Sequence, residues 1–226
     1  MTRIEDTGFD NIFWITLEDK RHLATKNLTP GRTFYGERVV KEKSIEYRLW
    51  DPYRSKLSAA IHKGLKHVPI KRGSLVLYLG ASTGTTISHV SDIIENGVVF
   101  GVEVSARVAR EFVERVVKYR PNIIPIISDA RFPEKYNVVF SQVDVIYSDI
   151  AQPDATEITI NNAEHYLKKG GYIMLAVKAR SINQVLSVSE IIDSEADKLK
   201  ASGFRIQQIL NIAPFERDHG FILAQL

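Results

Sequence analysis

The chain has 226 residues, 44% of them hydrophobic and 25% charged, with a formal net charge of +3. That length suits one α/β domain of roughly 150–200 residues plus a smaller appendage. The absence of cysteine excludes disulfides and thiolate metal sites. No apolar run approaches the ~18–20 residues needed to span a bilayer, and nothing at the N-terminus reads as a signal peptide, so the expected compartment is the cytoplasm. The mild positive charge permits a polyanionic partner without requiring one.

The first fifty residues carry short, β-like patterns. Ile12 to Leu17 is rich in strand formers and Glu18-Asp19-Lys20 reads as a turn. Arg21 to Leu28 and Glu37 to Trp50 read as further strands, interrupted by Pro30-Gly31 and Tyr35-Gly36. Together they predict a small antiparallel β domain over residues 1–54. Asp51-Pro52 ends it, and a helix is expected over Ser55–His67, with Leu57, Ala60, Ile61 and Leu65 on one face. That helix opens a second domain over residues 55–226.

Beyond Pro69 the pattern becomes strand–helix alternation. Continuous apolar runs at Leu75–Leu79, Val98–Val104, Ile123–Ile127, Val143–Tyr147 and Tyr172–Val177 are what strands buried on both faces of a parallel sheet look like. Amphipathic stretches lie between them at Thr86–Glu95, Ala106–Tyr119, Thr156–Lys168 and Ser189–Ser202. This rhythm predicts a doubly wound, Rossmann-like α/β sheet. Phe204–Ile212 and Phe221–Gln225 then follow with no helix between them, which implies an antiparallel hairpin at the sheet edge. Such an ending is typical of methyltransferase sheets rather than of dehydrogenases.

Leu75–Leu79 runs directly into Gly80-Ala81-Ser82-Thr83-Gly84-Thr85-Thr86 and a helix. A strand, a glycine-rich turn and a helix N-terminus form a general nucleotide-cofactor site. The Gly-x-x-x-Gly spacing is neither the Gly-x-Gly-x-x-Gly of pyrophosphate binders nor a P-loop. Glu103 ends the second strand, where an acid accepts hydrogen bonds from ribose hydroxyls. Asp129 closes the third strand run and Asp149 the fourth, so three acids face the crevice where such sheets bind ligands. Glycine spacing and closing hairpin together favour S-adenosylmethionine, with an NAD-dependent dehydrogenase as the minor rival.

At this point the sequence closely resembles a known family. Tyr78–Thr86 with Ile87–Asp92, then Asp129-Ala-Arg-Phe-Pro133, Asp149-Ile-Ala-Gln-Pro153 and Lys178-Ala-Arg-Ser181 look like fibrillarin. The likeness runs from Asn27-Leu28 and Tyr35–Arg38 through Tyr53–Leu57 to Asp218-His219. Its archaeal form is indicated, since a long Gly/Arg-rich N-terminal extension is lacking. Ser148, where a small apolar residue is expected, and Gly220, where alanine is usual, are small departures.

The resemblance implies an enzyme of box C/D ribonucleoproteins. Such an enzyme transfers methyl from S-adenosylmethionine to ribose 2′-hydroxyls of ribosomal RNA and, in archaea, transfer RNA. It implies cofactor contacts at Thr85 and Thr86, Glu103 and Val104, Asp129 and Ala130, and Asp149, Ile150, Ala151 and Gln152, beside Gly80 and Ala81 of the loop. It also implies catalytic roles for Lys56, Asp149, Lys178 and His219, of which only Asp149 and Lys178 are placed together by the strand order. Two lysines close to each other and to a sulfonium disfavour one another's charge, so a neutral Lys178 can take the hydroxyl proton, with His219 as the competing base. No metal site is expected.

The implied partners are a Nop-family scaffold protein, box C/D guide RNA and target RNA, and indirectly a kink-turn-binding ribosomal-type protein. No RNA-recognition motif and no aromatic stacking stripe is visible, and the basic residues between Arg48 and Arg72 are the candidates for a phosphate backbone. Two rivals stay open: a guide-independent methyltransferase of RNA or small molecules, and an assembly subunit without catalysis.

Overall fold

A computed structural model describes residues 2–136 and 142–226. The N-terminal strands β1 (Arg3–Asp6), β2 (Ile12–Leu17), β3 (Lys20–Lys26), β4 (Val39–Glu42) and β5 (Ile45–Leu49) form an antiparallel sheet in the order β1-β2-β3-β5-β4. The tight turn between β2 and β3 is made by Glu18 and Asp19, both at positive φ. β1 has no counterpart in the sequence reading, because Arg-Ile-Glu-Asp is a polar edge strand without a strand-like pattern.

The second sheet has seven strands: β6 (Leu75–Leu79), β7 (Val98–Glu103), β8 (Ile123–Ile127), β9 (Val143–Ser148), β10 (Leu167–Lys178), β11 (Arg205–Asn211) and β12 (His219–Gln225). Their order is β11-β12-β10-β9-β6-β7-β8. β6 to β10 are mutually parallel, while β12 runs antiparallel between β10 and β11. The closing hairpin is therefore present, with its second strand inside the sheet and its first at the edge. β6 pairs with both β7 and β9, so the strand order reverses at β6, where doubly wound sheets open a ligand crevice at their carboxyl ends.

Among the described residues, six α-helices accompany the sheets: α1 (Lys56–His62), α2 (Thr85–Ile94), α3 (Ala106–Arg115), α4 (Ala155–Tyr166), the short α5 (Ala179–Ile182) and α6 (Val188–Ala201). α1 stops five residues before the expected His67, where Gly64 adopts positive φ. β5 ends at Leu49 and α1 begins at Lys56, so the expected division at residue 54 lies in the link between the sheets. The core does not respect that division, since Ile12, Leu23, Phe34 and Trp50 share one apolar cluster with Val76, Tyr78, Ile87 and Val90.

α2 differs from the amphipathic expectation, for every residue from Thr86 to Ile94 is buried. Its Ser88, His89 and Asp92 side chains face the first sheet instead of water. Asp92 accepts from Arg48 at 2.8 Å, Thr25 at 2.7 Å, Arg120 at 2.5 Å and the Leu28 amide at 3.0 Å. Arg48 also donates to Glu37 at 2.6 Å and Ser88 at 2.8 Å. Since the Thr25 hydroxyl donates to Asp92, His89 Nδ1 must donate to Thr25, 2.7 Å away, leaving Nε2 to accept from Tyr35 at 2.6 Å. Burial, reinforced by Arg48 and Arg120, holds the His89 pKa well below the usual imidazole range. Arg48 is wholly buried in this network, so it is not the phosphate-facing residue that the basic run suggested.

Candidate active site

The loop after β6 is shaped by close backbone approach. Gly80 has φ +85°, and a Cβ there would lie 2.8 Å from the Asp149 carbonyl oxygen. The Gly80 and Ala81 amides both donate to Val102 O, and the Asp149 amide to Leu79 O, each at 2.9 Å. This stitching packs the ends of β6, β7 and β9 side by side. Glu103 then fastens the loop, its two carboxylate oxygens accepting from the Ser82 and Ser105 amides at 2.9 Å.

A cavity of about 290 Å³ opens over these strand ends. That is at the small end of the ~300–1,000 Å³ usual for small-molecule sites. Of the residues expected at the cofactor, Gly80, Glu103, Val104, Asp129, Ala130, Asp149, Ile150, Ala151 and Gln152 line it. Ala81, Thr85 and Thr86 do not. Ala81 is buried beneath the loop, and the Thr86 hydroxyl turns away to donate to Ser55 Oγ at 3.0 Å. Ser82, Ser128, Arg131 and Ile158 line the cavity without having been singled out in the sequence. Ser82 and Ser128 adjoin named motif residues and could have been included on that ground; Ile158, on α4, gives no local signal.

The lining suits S-adenosylmethionine better than a dinucleotide. Three carboxylates, Glu103, Asp129 and Asp149, would repel a pyrophosphate, whereas they match hydroxyl donors and a cationic sulfur. Val102, Val104, Ile150 and Ile158 give apolar surface for a ring. The hydrogen bonds from Arg131, which folds back onto Asp129 at 2.7 Å, hold that carboxyl below its ordinary range.

The four expected catalytic residues come from four separate elements. Lys56, at the first turn of α1, donates to Asp149 Oδ2 at 3.2 Å. Lys178, at the end of β10, places Nζ 3.0 Å from Asp149 Oδ1, while its hydrogen bond goes to the Asp149 carbonyl oxygen at 3.2 Å. Asp149 Oδ1, buried, is left without a hydrogen-bond donor. The lysines are thus bridged by a carboxylate rather than set against each other, as the sequence had suggested. His219 lies directly opposite Lys178 in the β10–β12 register, and its Nδ1 lies 2.6 Å from Arg217 O, which leaves Nε2 as the open acceptor when the ring is neutral. Ser55 both caps α1 and accepts from Thr86, so the start of the lysine-bearing helix is tied to the start of α2. Among the described residues, no cluster of three or more metal-ligating side chains occurs.

Strand order, the cavity at the switch point and the cluster on Asp149 together define a class I methyltransferase-type protein with a small antiparallel sheet in front. The fibrillarin family model matches residues 4–226, and the chain belongs to the fibrillarin family. A fibrillarin-like rRNA/tRNA 2′-O-methyltransferase of Sulfurisphaera tokodaii is 50% identical over 100% of this chain and 97% of its own. The Aeropyrum pernix fibrillarin crystallised with natively bound S-adenosyl-L-methionine superposes with a TM-score of 0.90 and 43% identity, covering 99% of this chain and 100% of that one. The fibrillarin of a fibrillarin/Nop5p complex superposes with a TM-score of 0.85 and 39% identity, covering 96% and 97%.

Proposed function

We infer that this chain transfers methyl from S-adenosylmethionine to ribose 2′-hydroxyls of ribosomal and transfer RNA, working in a ribonucleoprotein with a Nop-family scaffold. The observation that carries the reading is the Lys56–Asp149–Lys178 cluster at the mouth of the carboxylate-lined cavity, with His219 across from Lys178. The finer partners belong to the same proposal: box C/D guide RNA selects the target by base pairing, and a kink-turn-binding ribosomal-type protein joins through the RNA. A chain without sequence-reading motifs needs such an external address.

Gly80, Glu103, Asp129 and the backbone from Asp149 to Gln152 would hold the cofactor. When bound, it supplies an activated methyl group on a cationic sulfur. A ribose hydroxyl is a poor nucleophile at neutral pH, so the protein's work is alignment and proton removal. Asp149 Oδ1, with no donor of its own, accepts from the incoming 2′-hydroxyl. Lys178 would take that proton on its amine as the oxygen–methyl bond formed and the methyl–sulfur bond broke, the sulfur leaving as a neutral thioether, and Asp149 keeps the amine aimed. His219, opposite Lys178 at the same strand end, orients the ribose.

The test combines labelled S-adenosylmethionine and target RNA with the purified protein, with and without scaffold, kink-turn protein and guide RNA. Methylation confined to the full assembly is expected; efficient transfer to unguided RNA would favour the guide-independent alternative. Lys178→Ala should abolish transfer while cofactor affinity stays nearly intact, and wild-type turnover in that variant would remove Lys178 from the base role.

A further inference from the structure

Beneath the catalytic cluster lies a pair of tyrosines that line neither the cofactor cavity nor the surface. Tyr78 on β6 and Tyr147 on β9 stand opposite each other in the parallel register, and their rings stack at 4.6 Å with an interplanar angle of 26°. Both belong to the apolar cluster that also holds Leu57, Ile87 and Phe221, so they face α1 and α2. Their rings are ordinary core, but their hydroxyls are not required for it. Phenylalanine would fill nearly the same space without placing a polar group inside.

Tyr147 is wholly buried, yet its hydroxyl makes no well-formed hydrogen bond. A hydroxyl in that state weakens the fold and calls for another reason to be there. What it faces is the Tyr78 hydroxyl and the backbone of Leu57. The Tyr78 hydroxyl in turn faces Thr86, and Thr86 donates to Ser55. Both phenols therefore bear on one short stretch, Ser55 to Leu57, with Lys56 in its middle.

α1 has seven residues, too few to hold a helical start in place by itself. Its cap, Ser55 Oγ, accepts from the Ser58 amide, so the amides of Lys56 and Leu57 have no partner within the helix. Leu57 is the residue that the Tyr147 hydroxyl faces. The Asp149 carboxylate is near enough to act on both phenols. Burial first, with the Asp149 charge adding to it, pushes them well above the usual tyrosine range. They stay protonated at every working pH, which gives them a place in the geometry and none in proton transfer.

We propose that Tyr147, backed by Tyr78, is a positioning residue for methyl transfer: its hydroxyl is the shim on which the first turn of α1 rests, and through that turn it sets Lys56 against Asp149. The proposal rests on Lys56 acting in the transfer and adds what holds it there. Without the oxygen, a gap opens beneath Leu57 and the turn is free to settle. Lys56 then shifts off Asp149 Oδ2, 3.2 Å away, while the stacked rings keep the core filled.

Two readouts test it, one of them independent of activity. In the assembled ribonucleoprotein, Tyr147→Phe should lower turnover at saturating RNA about tenfold, the scale of a small misplacement of a reacting group. KM for RNA and cofactor affinity should hold, and the melting temperature should stay or rise, since no formed hydrogen bond is lost. In the free chain, brief acetylation read by mass spectrometry should modify Lys56 about threefold faster in Tyr147→Phe than in wild type, with exposed Lys200 as the reference. Unchanged turnover with unchanged Lys56 labelling overturns the proposal. A fall in melting temperature matched by losses in cofactor affinity and turnover would also overturn it, marking Tyr147 as a structural brace. Slower turnover with Lys56 labelled as in wild type would overturn the route through Lys56, and faster labelling with full turnover would refute the catalytic role of Lys56. If no assembly built on the wild-type chain methylates RNA, the acceptor reading fails alone, and the labelling still decides whether Tyr147 holds Lys56.

Discussion

Gly80→Ala tests the loop geometry most sharply. A side chain at φ +85° costs ~1–2 kcal/mol by itself. The new methyl would also stand 2.8 Å from the Asp149 carbonyl oxygen. That oxygen cannot swing aside freely, because the Asp149 amide is bonded to Leu79 O and the Gly80 amide to Val102 O. Relief must come from parting β6 and β9, an overpacking cost of ~1–3 kcal/mol more. Gly203→Ala is the matched control, with φ +88° but open space around its added methyl, so it carries only the conformational part. Calorimetry should place the melting temperature of Gly80→Ala below that of Gly203→Ala by roughly 3–10 °C. Titration with S-adenosylmethionine should show weakened binding for Gly80→Ala alone. Equal stability of the two variants with unimpaired cofactor binding would refute the claim that Gly80 exists to let Asp149 approach.

Other consequences follow from contacts already described. Asp92→Asn leaves Arg48 and Arg120 buried with too little negative charge, and denaturant unfolding should show a loss of about 3–5 kcal/mol. Glu103→Ala frees the Ser82 and Ser105 amides and removes an acceptor from the cavity, so cofactor affinity should fall about tenfold by calorimetric titration, with RNA binding unaffected. His89 is neutral in the folded protein, its pKa well below that of the unfolded imidazole, so the unfolded chain binds the extra proton as pH drops. The stability this group contributes is complete above pH ~6.5 and is lost as the pH falls below it. Urea midpoints between pH 8 and pH 5 should therefore decline less steeply for His89→Gln than for wild type.

The parallel strands were legible because a strand buried on both faces must be apolar throughout, and Leu75–Leu79 and Ile123–Ile127 begin and end as read. Asp149 and Lys178 were legible as neighbours for the same reason, since β9 and β10 are adjacent parallel strands ending at one edge. Lys56 and His219 were not, because α1 reaches Asp149 across a separation of 93 residues and β12 enters the sheet antiparallel, in a register no local pattern announces. Arg48 shows the opposite failure. A basic residue in a basic stretch reads as surface, and only the burial of Asp92 and Glu37 beside it explains why it lies inside.

The charged layer between the first sheet and α2 has a consequence for how the molecule can be taken apart. Removing residues 1–54 would strip Thr25 and Arg48 from Asp92, His89 and Ser88, which have no access to water in the intact chain. The remaining Rossmann-like unit would expose Ser88, His89 and Asp92 on a helix otherwise buried all round, directly behind the cofactor loop. The small sheet is therefore the missing outer layer of the catalytic unit rather than a detachable ornament. Both halves should melt in a single cooperative transition, and a chain cut at the link should lose the order of the Gly80–Thr86 loop along with its front sheet.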